Sequence, residues 1–190
     1  VFNGEIFNYI ELKKDLDKKG IIFSTHSDTE VIVQLFSVYG KDCVNMLNGQ
    51  FAFAIWDTRE ESLFLARDRM GIRPLFYHHQ NGIFTFGSEI KSIFENPEVK
   101  SNISFKNLSQ VFTFWTSITP YTAFQDIYEL PPGHYLFLKN NEIKIIKYWQ
   151  LEFNENSLIK SIDEAVEGLD EIFTDSVRIR LRADVMVAAY

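Results

Sequence analysis

The chain has 190 residues, of which 46% are hydrophobic and 24% are charged, and its formal net charge is −7. This composition excludes intrinsic disorder, and the acidic balance argues against nucleic-acid binding, which needs basic side chains to neutralise phosphates. A single cysteine cannot form an internal disulfide, and no apolar stretch approaches the roughly 20 residues that span a bilayer, so we expect a cytoplasmic protein without a membrane partner.

The first third of the chain predicts mainly helices. Residues 10–19 form a charged helical segment, residues 21–23 have the apolar composition of a strand, and residues 42–47 predict a further short helix. Ser27, followed three residues later by Glu30, fits a capping box at the start of an amphipathic helix that ends at a glycine.

Three hairpins are predicted in the rest of the chain. The strand pairs are 51–56 with 62–66, 75–79 with 83–86, and 135–138 with 142–146. Asn81-Gly82 separates the second pair, and this dipeptide is a strong hairpin signal because both residues accept a positive φ. Asn140-Asn141 separates the third pair. Hairpins indicate antiparallel sheet, and the 18 phenylalanines suit two sheets packed face to face.

The segments between and after these hairpins predict three more helices. Short helices are expected over residues 88–94 and 105–112, and the polar residues 150–159 read as a linker. Ser161 begins a second capping box at the start of a long amphipathic helix. This helix need not belong to the sheet domain, which places a domain boundary near residue 150.

Two short segments carry candidate chemistry. In Asn3-Gly4-Glu5, Asn-Gly is commonest as a turn, but an Asn amide and a Gly backbone N–H also make a two-donor oxyanion hole. Glu5 next to them could bind an ammonium group. Asp28, in the first turn of the helix after Ser27, is stabilised there by the helix dipole and could also bind a cation. Taken alone, Asn3-Gly4-Glu5 favours the structural interpretation, whereas for Asp28 the structural and the functional interpretation do not exclude each other.

Other polar residues favour structural interpretations. The segment Arg67–Pro74 predicts a charged loop between two strands, and its alternating charges could pair with one another at little gain in stability. Cys43 lies in an amphipathic stretch with no histidine nearby, which favours a buried apolar side chain over a nucleophile. The four histidines show no metal-ligand spacing, so we predict no metal site.

Further segments occur in a defined order along the chain. They are Leu47–Ala54, Ala66–Leu75, Gly87–Lys91, Leu130–His134 and Tyr148-Trp149. Together with the segments around Asn3 and Asp28, they resemble the glutamine-hydrolysing asparagine synthetase family over the whole chain.

The resemblance implies an α+β fold: a partial αββα sandwich of two antiparallel sheets flanked by helices, followed by a linker and the first helix of an α synthetase domain. Residues 1–150 would be the later part of a class II glutaminase domain with the N-terminal-nucleophile hydrolase fold. Residues 151–190 would be the linker and the start of the ATP-dependent domain. The family's N-terminal cysteine nucleophile and its ATP loop are not in this sequence, so we expect an internal fragment that is inactive alone.

By matching positions, the resemblance assigns Asn3 and Gly4 to the oxyanion hole and Asn3, Gly4, Glu5 and Asp28 to glutamine binding. Glutamine is the expected partner of this part, and no cofactor is expected on it. ATP, Mg²⁺ and aspartate belong to the synthetase domain, where ammonia displaces AMP from β-aspartyl-AMP. A homodimer is compatible with the family's plan.

Three alternatives remain open at the level of the sequence. An amidotransferase with the same two-domain plan but another acceptor, such as a cell-surface sugar or a peptide, would share every motif. Sugar-phosphate and phosphoribosyl amidotransferases share the Asn-Gly-Glu and Ser-Asp-Thr-Glu themes but not the Tyr-Trp and the helix that follow. A non-catalytic glutaminase-like binding module would keep the sandwich and lose the chemistry.

Overall fold

A computed structural model describes residues 1–153, 161–183 and 185–188 of the chain. The strands of this part are β1 (Phe2–Ile6), β2 (Gly49–Asp57), β3 (Ser62–Arg67), β4 (Phe76–Gln80), β5 (Ile83–Gly87), β6 (Ile127–Glu129), β7 (His134–Lys139) and β8 (Glu142–Lys147). Its helices are α1 (Tyr9–Asp17), α2 (Asp28–Tyr39), α3 (Ile90–Ile93), α4 (Phe105–Phe114) and α5 (Ile162–Arg180), with a 3₁₀ helix at Gly40–Asn45.

The strands form two antiparallel sheets that lie face to face. One sheet has five strands in the order β1-β2-β3-β7-β8, and the other has three in the order β5-β4-β6. An apolar cluster lies between the sheets and includes Ala52, Leu65, Tyr77, Leu130 and Leu136. This is the antiparallel α+β sandwich that the sequence predicts.

Helices cover the outer faces of both sheets. Helices α1 and α2 and the 3₁₀ helix pack on the five-stranded sheet, where buried aromatic rings such as Phe51, Phe53 and Phe64 meet Leu16 and Leu35. On the far side, Ile93 of α3 packs with Ile127 of β6. The layers therefore run helix, sheet, sheet, helix.

The two asparagine-containing turns form as predicted. Asn81 and Gly82 have φ values of 52° and 79°, and Asn140 and Asn141 have φ values of 51° and 63°. Two consecutive residues at positive φ match the right-handed twist of the strands they join, so local sequence fixes both hairpins.

Three local predictions are wrong in part. Residues 21–23 form no strand: Ile21 donates its N–H to the carbonyl of Leu16, and the segment wraps over the end of α1. Ser27 does cap α2, but its hydroxyl accepts from the N–H of Thr29, and the Glu30 carboxylate binds the backbone further upstream. The helix expected over 88–94 shortens to the four residues of α3.

Helix α5 meets the sandwich only near its carboxyl end. Ser161 caps the helix by accepting from the N–H of Glu164, as predicted. The apolar side chains of Leu169, Ile172 and Phe173 are exposed, whereas Ile179 is buried. A separate domain beginning at this helix stays a prediction, and most of the predicted linker, residues 154–160, lies outside the described residues.

Candidate active site

The outer edge of β1 carries the first candidate residues. Val1 and Ala54 exchange both of their backbone hydrogen bonds, each at 2.9 Å, so hydrogen-bonded and non-bonded pairs alternate from there along β1 and β2. Gly4, opposite Phe51, is three positions from Val1, and this odd number places it at a non-bonded pair. Its N–H and C=O therefore face away from β2, towards the open edge of the sheet.

The backbone at Gly4 accepts no other residue without strain. Its φ is +145°, and a Cβ atom there would lie 2.0 Å from the carbonyl oxygen of Gln50. Gly49 on the facing strand is equally tight, because its Cβ would lie 2.3 Å from the carbonyl oxygen of Glu5. The two strands thus approach closely at this point. Because Gly4 has no side chain, the backbone at the edge of β1 is uncovered there.

Asp28 fastens the start of α2 to the same edge. Its Oδ2 accepts a hydrogen bond of 3.0 Å from the N–H of Ile6, the last residue of β1. The side chain is half-buried, and its second oxygen has no hydrogen-bond partner within the described residues. One oxygen of the carboxylate therefore joins α2 to the end of β1, and the other stays without a hydrogen bond among the described residues.

Glu5 and Asp28 line one cavity of about 660 Å³, which Tyr9 and His26 also line. The Glu5 side chain is exposed and makes no hydrogen bond or ion pair with the part of the chain that the structure describes. The structure therefore brings together the two carboxylates predicted to bind an ammonium group, and it leaves both with unused acceptor oxygens.

Asn3 does not line the cavity of Glu5 and Asp28. Its Nδ2 donates to the hydroxyl of Ser88 at 3.2 Å, and both residues line a separate cavity of about 340 Å³ between the sheets, beside Leu75 and Phe86. Gly4 lies in the strand between Asn3, which lines one cavity, and Glu5, which lines the other. The structure thus places three of the four predicted residues along one strand and the fourth at its end, and their roles stay predictions.

Arg182, which sequence reasoning did not single out, forms part of the cavity of Glu5 and Asp28. Its Nη1 donates to the carbonyl of Phe7 at 2.6 Å, and its guanidinium contacts both carboxylate oxygens of Glu11 at 2.5 and 2.6 Å. The hydrogen bond from Arg182 lowers the pKa of the Glu11 carboxyl below its ordinary value. No local pattern could reveal this contact, because 171 residues separate the two partners.

The Arg67–Pro74 loop contains a buried carboxylate. Asp68 is 1% exposed, and its two oxygens accept from the backbone N–H groups of four residues at 3.0–3.2 Å. The donors are Phe51, Met70, Ile72 and Arg73. This carboxylate organises the turn of the loop and joins it to β2.

The arginines of the same loop bind backbone carbonyls. Arg67 donates to the carbonyls of Gly71, Arg73 and Leu130, and it also pairs with the carboxylate of Glu129 at 2.8 Å. Arg69 donates to two carbonyls of the segment before β2. The expectation that the charges of this loop pair with one another is therefore wrong, since backbone groups supply most of the hydrogen bonds of Arg67, Asp68 and Arg69.

Cys43 is buried as predicted. Its side chain is fully inaccessible, and burial raises the pKa of its thiol to about 12, so the reactive thiolate is scarce at neutral pH. Across the described ranges, no group of three or more His, Cys, Asp or Glu residues is arranged to hold a metal ion. The described helices also include none with the length and apolar character needed to cross a membrane.

Solved structures of amidotransferases share the two-sheet sandwich of this chain. The glutamine phosphoribosylpyrophosphate amidotransferase of Bacillus subtilis, solved with ADP and GMP, superposes with a TM-score of 0.57 at 24% identity, over 80% of this chain and 29% of that one. A structure described as the allosteric regulatory enzyme of purine biosynthesis gives a TM-score of 0.55 at 25% identity, over 79% and 28%. The fold is that of the amidotransferases of the N-terminal-nucleophile type.

Residues 1–149 match the model of the glutamine amidotransferase domain, and the chain belongs to this family. Over its full length it is 38% identical to asparagine synthetase [glutamine-hydrolyzing] 3 of Bacillus subtilis, of which it covers 31%. It is 34% identical to a putative asparagine synthetase [glutamine-hydrolyzing] 2 of Methanocaldococcus jannaschii, of which it covers 37%. It is also 37% identical to the amidase chry2 of Gibberella zeae and covers 28% of it. The chain thus spans about a third of the length of these relatives.

Proposed function

We propose that this chain is the glutamine-hydrolysing part of an ATP-dependent asparagine synthetase. Its membership of the glutamine amidotransferase family supports glutamine as the substrate, and its likeness to asparagine synthetases over the whole chain supports aspartate as the acceptor. The observation that carries the proposal is the edge of β1, where the outward N–H of Gly4 precedes Glu5, one of the two carboxylates that line a single cavity.

Glu5 and Asp28 would hold the α-ammonium group of glutamine. A single cation between two carboxylates offsets their mutual repulsion, and both side chains have unused acceptor oxygens. The bond from the N–H of Ile6 fixes the orientation of the Asp28 carboxylate before a ligand arrives. Fixing the amino-acid end of glutamine in this way would direct its side-chain amide along the edge of β1 towards Gly4.

Gly4 and Asn3 would then stabilise the tetrahedral intermediate. Negative charge develops on the amide oxygen when the carbonyl carbon is attacked, and an outward backbone N–H is a fixed donor for that oxygen. The amide nitrogen of Asn3 carries two hydrogens, so its bond to Ser88 leaves one for the same oxygen. Collapse of the intermediate would expel ammonia and leave an acyl group on the nucleophile, which water would hydrolyse to glutamate. The ammonia would then displace AMP from β-aspartyl-AMP to give asparagine.

The nucleophile would come from outside residues 1–190. Cys43 is the one cysteine of the sequence, and its burial and raised pKa make it unsuited to attack a substrate. As the family resemblance implies, we assign the nucleophile to an N-terminal cysteine whose own amino group acts as the base. ATP, Mg²⁺ and aspartate would likewise bind to a synthetase domain beyond this chain.

A second candidate is an amidotransferase that delivers ammonia to another acceptor. Two relatives favour it, because they are named amidases and not asparagine synthetases. They come from Gibberella zeae and Penicillium rubens, and they match the full length of this chain at 37% and 34% identity. The candidate glutamine site is the same in both cases, so only the acceptor separates the two functions.

The test is a product assay on the complete protein that contains this chain, with glutamine, aspartate and Mg-ATP. We expect glutamate, asparagine, AMP and pyrophosphate to rise together when they are followed by mass spectrometry. Glutamate without asparagine would support the second candidate, and no glutamate at all would refute glutamine hydrolysis and leave a non-catalytic module.

A matched pair of variants tests the site itself. Glu5→Gln should raise the KM for glutamine at least tenfold, because it removes one of the two negative charges that face the ammonium group. Ammonia-dependent synthesis of asparagine should persist. Glu95→Gln, at an exposed position beside the other sheet, should leave both activities unchanged. An unchanged KM in Glu5→Gln would remove this residue from the glutamine site.

A further inference from the structure

The carboxyl end of α5 is held against the sandwich by a small set of contacts, which we call the Arg182 clamp. It comprises the bonds from Arg182 to the carboxylate of Glu11 and to the carbonyl of Phe7. Arg182 is 16% exposed and Glu11 is 53% exposed at their side chains. The fork of the guanidinium reaches two different elements, the start of α1 and the chain just after β1, so the clamp fixes both position and direction.

The clamp adjoins the candidate glutamine cavity. Phe7 follows Glu5 by two residues and is buried, and the guanidinium carbon of Arg180 lies 4.5 Å from the centre of its ring. Beyond the clamp, Ala183 and Val185 line the cavity that Glu5 and Asp28 also line. One side of this cavity is therefore built by the segment that follows α5.

The rest of α5 makes few contacts with the sandwich. The apolar side chains along its middle are exposed within the described residues, and burial is confined to the last turns around Ile179. A helix held at one end can pivot about that end. Within the described residues, the last turns of α5 are therefore tied to the cavity by the clamp, by the buried Ile179 and by the contact of Arg180 with Phe7.

We propose that Arg182 is a positioning residue that sets the affinity of the candidate site for glutamine by holding Ala183 and Val185 against the cavity. The inference rests on the proposed function, since it assumes that the cavity binds glutamine. It also implies linkage: because coupling between two sites is reciprocal, whatever moves α5 should change the affinity for glutamine, and glutamine should in turn favour the clamped position of α5.

The experiment measures glutamine hydrolysis in the complete protein and in three variants. Arg182→Gln should raise the KM for glutamine at least fivefold and change kcat less than twofold, because it opens the cavity without touching the oxyanion donors. Glu11→Gln leaves the bond to Phe7 in place, and we expect about a threefold rise in KM. Arg178→Gln breaks an exposed ion pair with Asp175 on the same helix and should change neither parameter.

The outcomes separate the two proposals. Wild-type hydrolysis with an unchanged KM in both Arg182→Gln and Glu11→Gln would overturn the positioning role and leave the proposed function intact. A KM that rises equally in Arg178→Gln would also overturn it, since the effect would then belong to the helix as a whole. Absence of hydrolysis in the wild-type protein would refute the proposed function and the clamp together. Glu11 is a surface residue outside the cavity lining, so its variant still tests the clamp if Arg182→Gln fails to fold.

Discussion

The Arg67–Pro74 loop and the edge of β1 use similar polar groups in opposite ways. In the loop, the buried carboxylate of Asp68 accepts four backbone N–H groups, and the guanidinium groups of Arg67 and Arg69 donate to five backbone carbonyls. At the edge, Glu5 has no partner within the described residues, Asp28 uses one oxygen, and Gly4 turns its N–H outward.

The difference shows how to separate a scaffold from a site when both are charged. A buried charge is tolerated when the protein itself supplies its hydrogen bonds, and leaving such a group unpaired costs more than the net gain of making the bond. The carboxylate of Asp68 and the guanidinium groups of Arg67 and Arg69 are satisfied in this sense. The buried Nε of Arg73 in the same loop has no hydrogen-bond partner among the described residues. At the edge, Glu5 and one oxygen of Asp28 have no partner among the described residues and line a cavity, which supports the proposed glutamine site.

The largest effect should come from Asp68→Ala. The change leaves four backbone N–H groups of a buried loop without their acceptor, and we expect the free energy of unfolding to fall by about 3–5 kcal/mol. Asp15→Ala, which removes a partner of Lys18 at a site where the aspartate is 62% exposed, should cost under about 0.5 kcal/mol. Denaturant titration of both variants checks this, and a loss below about 1 kcal/mol in Asp68→Ala would mean that the network is dispensable.

Gly4→Ala should have the next largest effect. The new Cβ meets the carbonyl oxygen of Gln50 at a φ of +145°, so β1 must move away from β2, at a cost of about 2–3 kcal/mol. Gly168→Ala is the matched control inside α5, where a Cβ would have no neighbour within 4 Å, and it should stabilise by about 0.5–1 kcal/mol. Thermal melts of the two variants that shift in the same direction would contradict the strain assigned to Gly4.

Asp28→Asn should weaken glutamine binding much more than it lowers the stability of the fold. Its amide oxygen can still accept from the N–H of Ile6, so we expect only about 1 kcal/mol of lost stability from the missing charge at the start of α2. Glutamine binding should weaken at least tenfold, measured by isothermal titration with the complete protein. If stability fell sharply and affinity did not change, Asp28 would belong with Asp68 as a purely structural carboxylate.

Arg69→Lys should have the smallest effect. The guanidinium reaches the carbonyls of Leu47 and Asn45 at 2.6 and 3.1 Å, and a lysine can serve only one of them well. We expect a loss of about 1 kcal/mol in the free energy of unfolding with no change in the KM for glutamine. A raised KM at full stability would place the loop in the glutamine site and remove the contrast between the two regions.

The sequence by itself determined the elements whose conformation depends on neighbouring residues. The hairpin turns at Asn81-Gly82 and Asn140-Asn141 need positive φ, and asparagine and glycine adopt it at low cost. Ser27 and Ser161 cap their helices because a hydroxyl reaches an N–H within three residues. Alternating apolar strands then left few arrangements other than two sheets packed face to face.

Only the tertiary structure decided where the polar groups go. Residues 21–23 have strand composition but find no neighbouring strand, and Glu30 finds its donors upstream of the cap. Sequence also indicated charge pairs within the Arg67–Pro74 loop, whereas folding supplies backbone groups from β2 and from Leu130.

In the candidate site, too, the sequence indicated the residues and the tertiary structure decided their surroundings. Asn3, Gly4, Glu5 and Asp28 were found from their types and their order along the chain, but the cavity that unites Glu5 with Asp28 and excludes Asn3 is a product of strand pairing. The contact of Arg182 with Glu11 spans 171 residues and leaves no local trace. Short-range conformational preferences can be read from a sequence, whereas the partner of a charge depends on which distant backbone the fold brings within hydrogen-bonding distance.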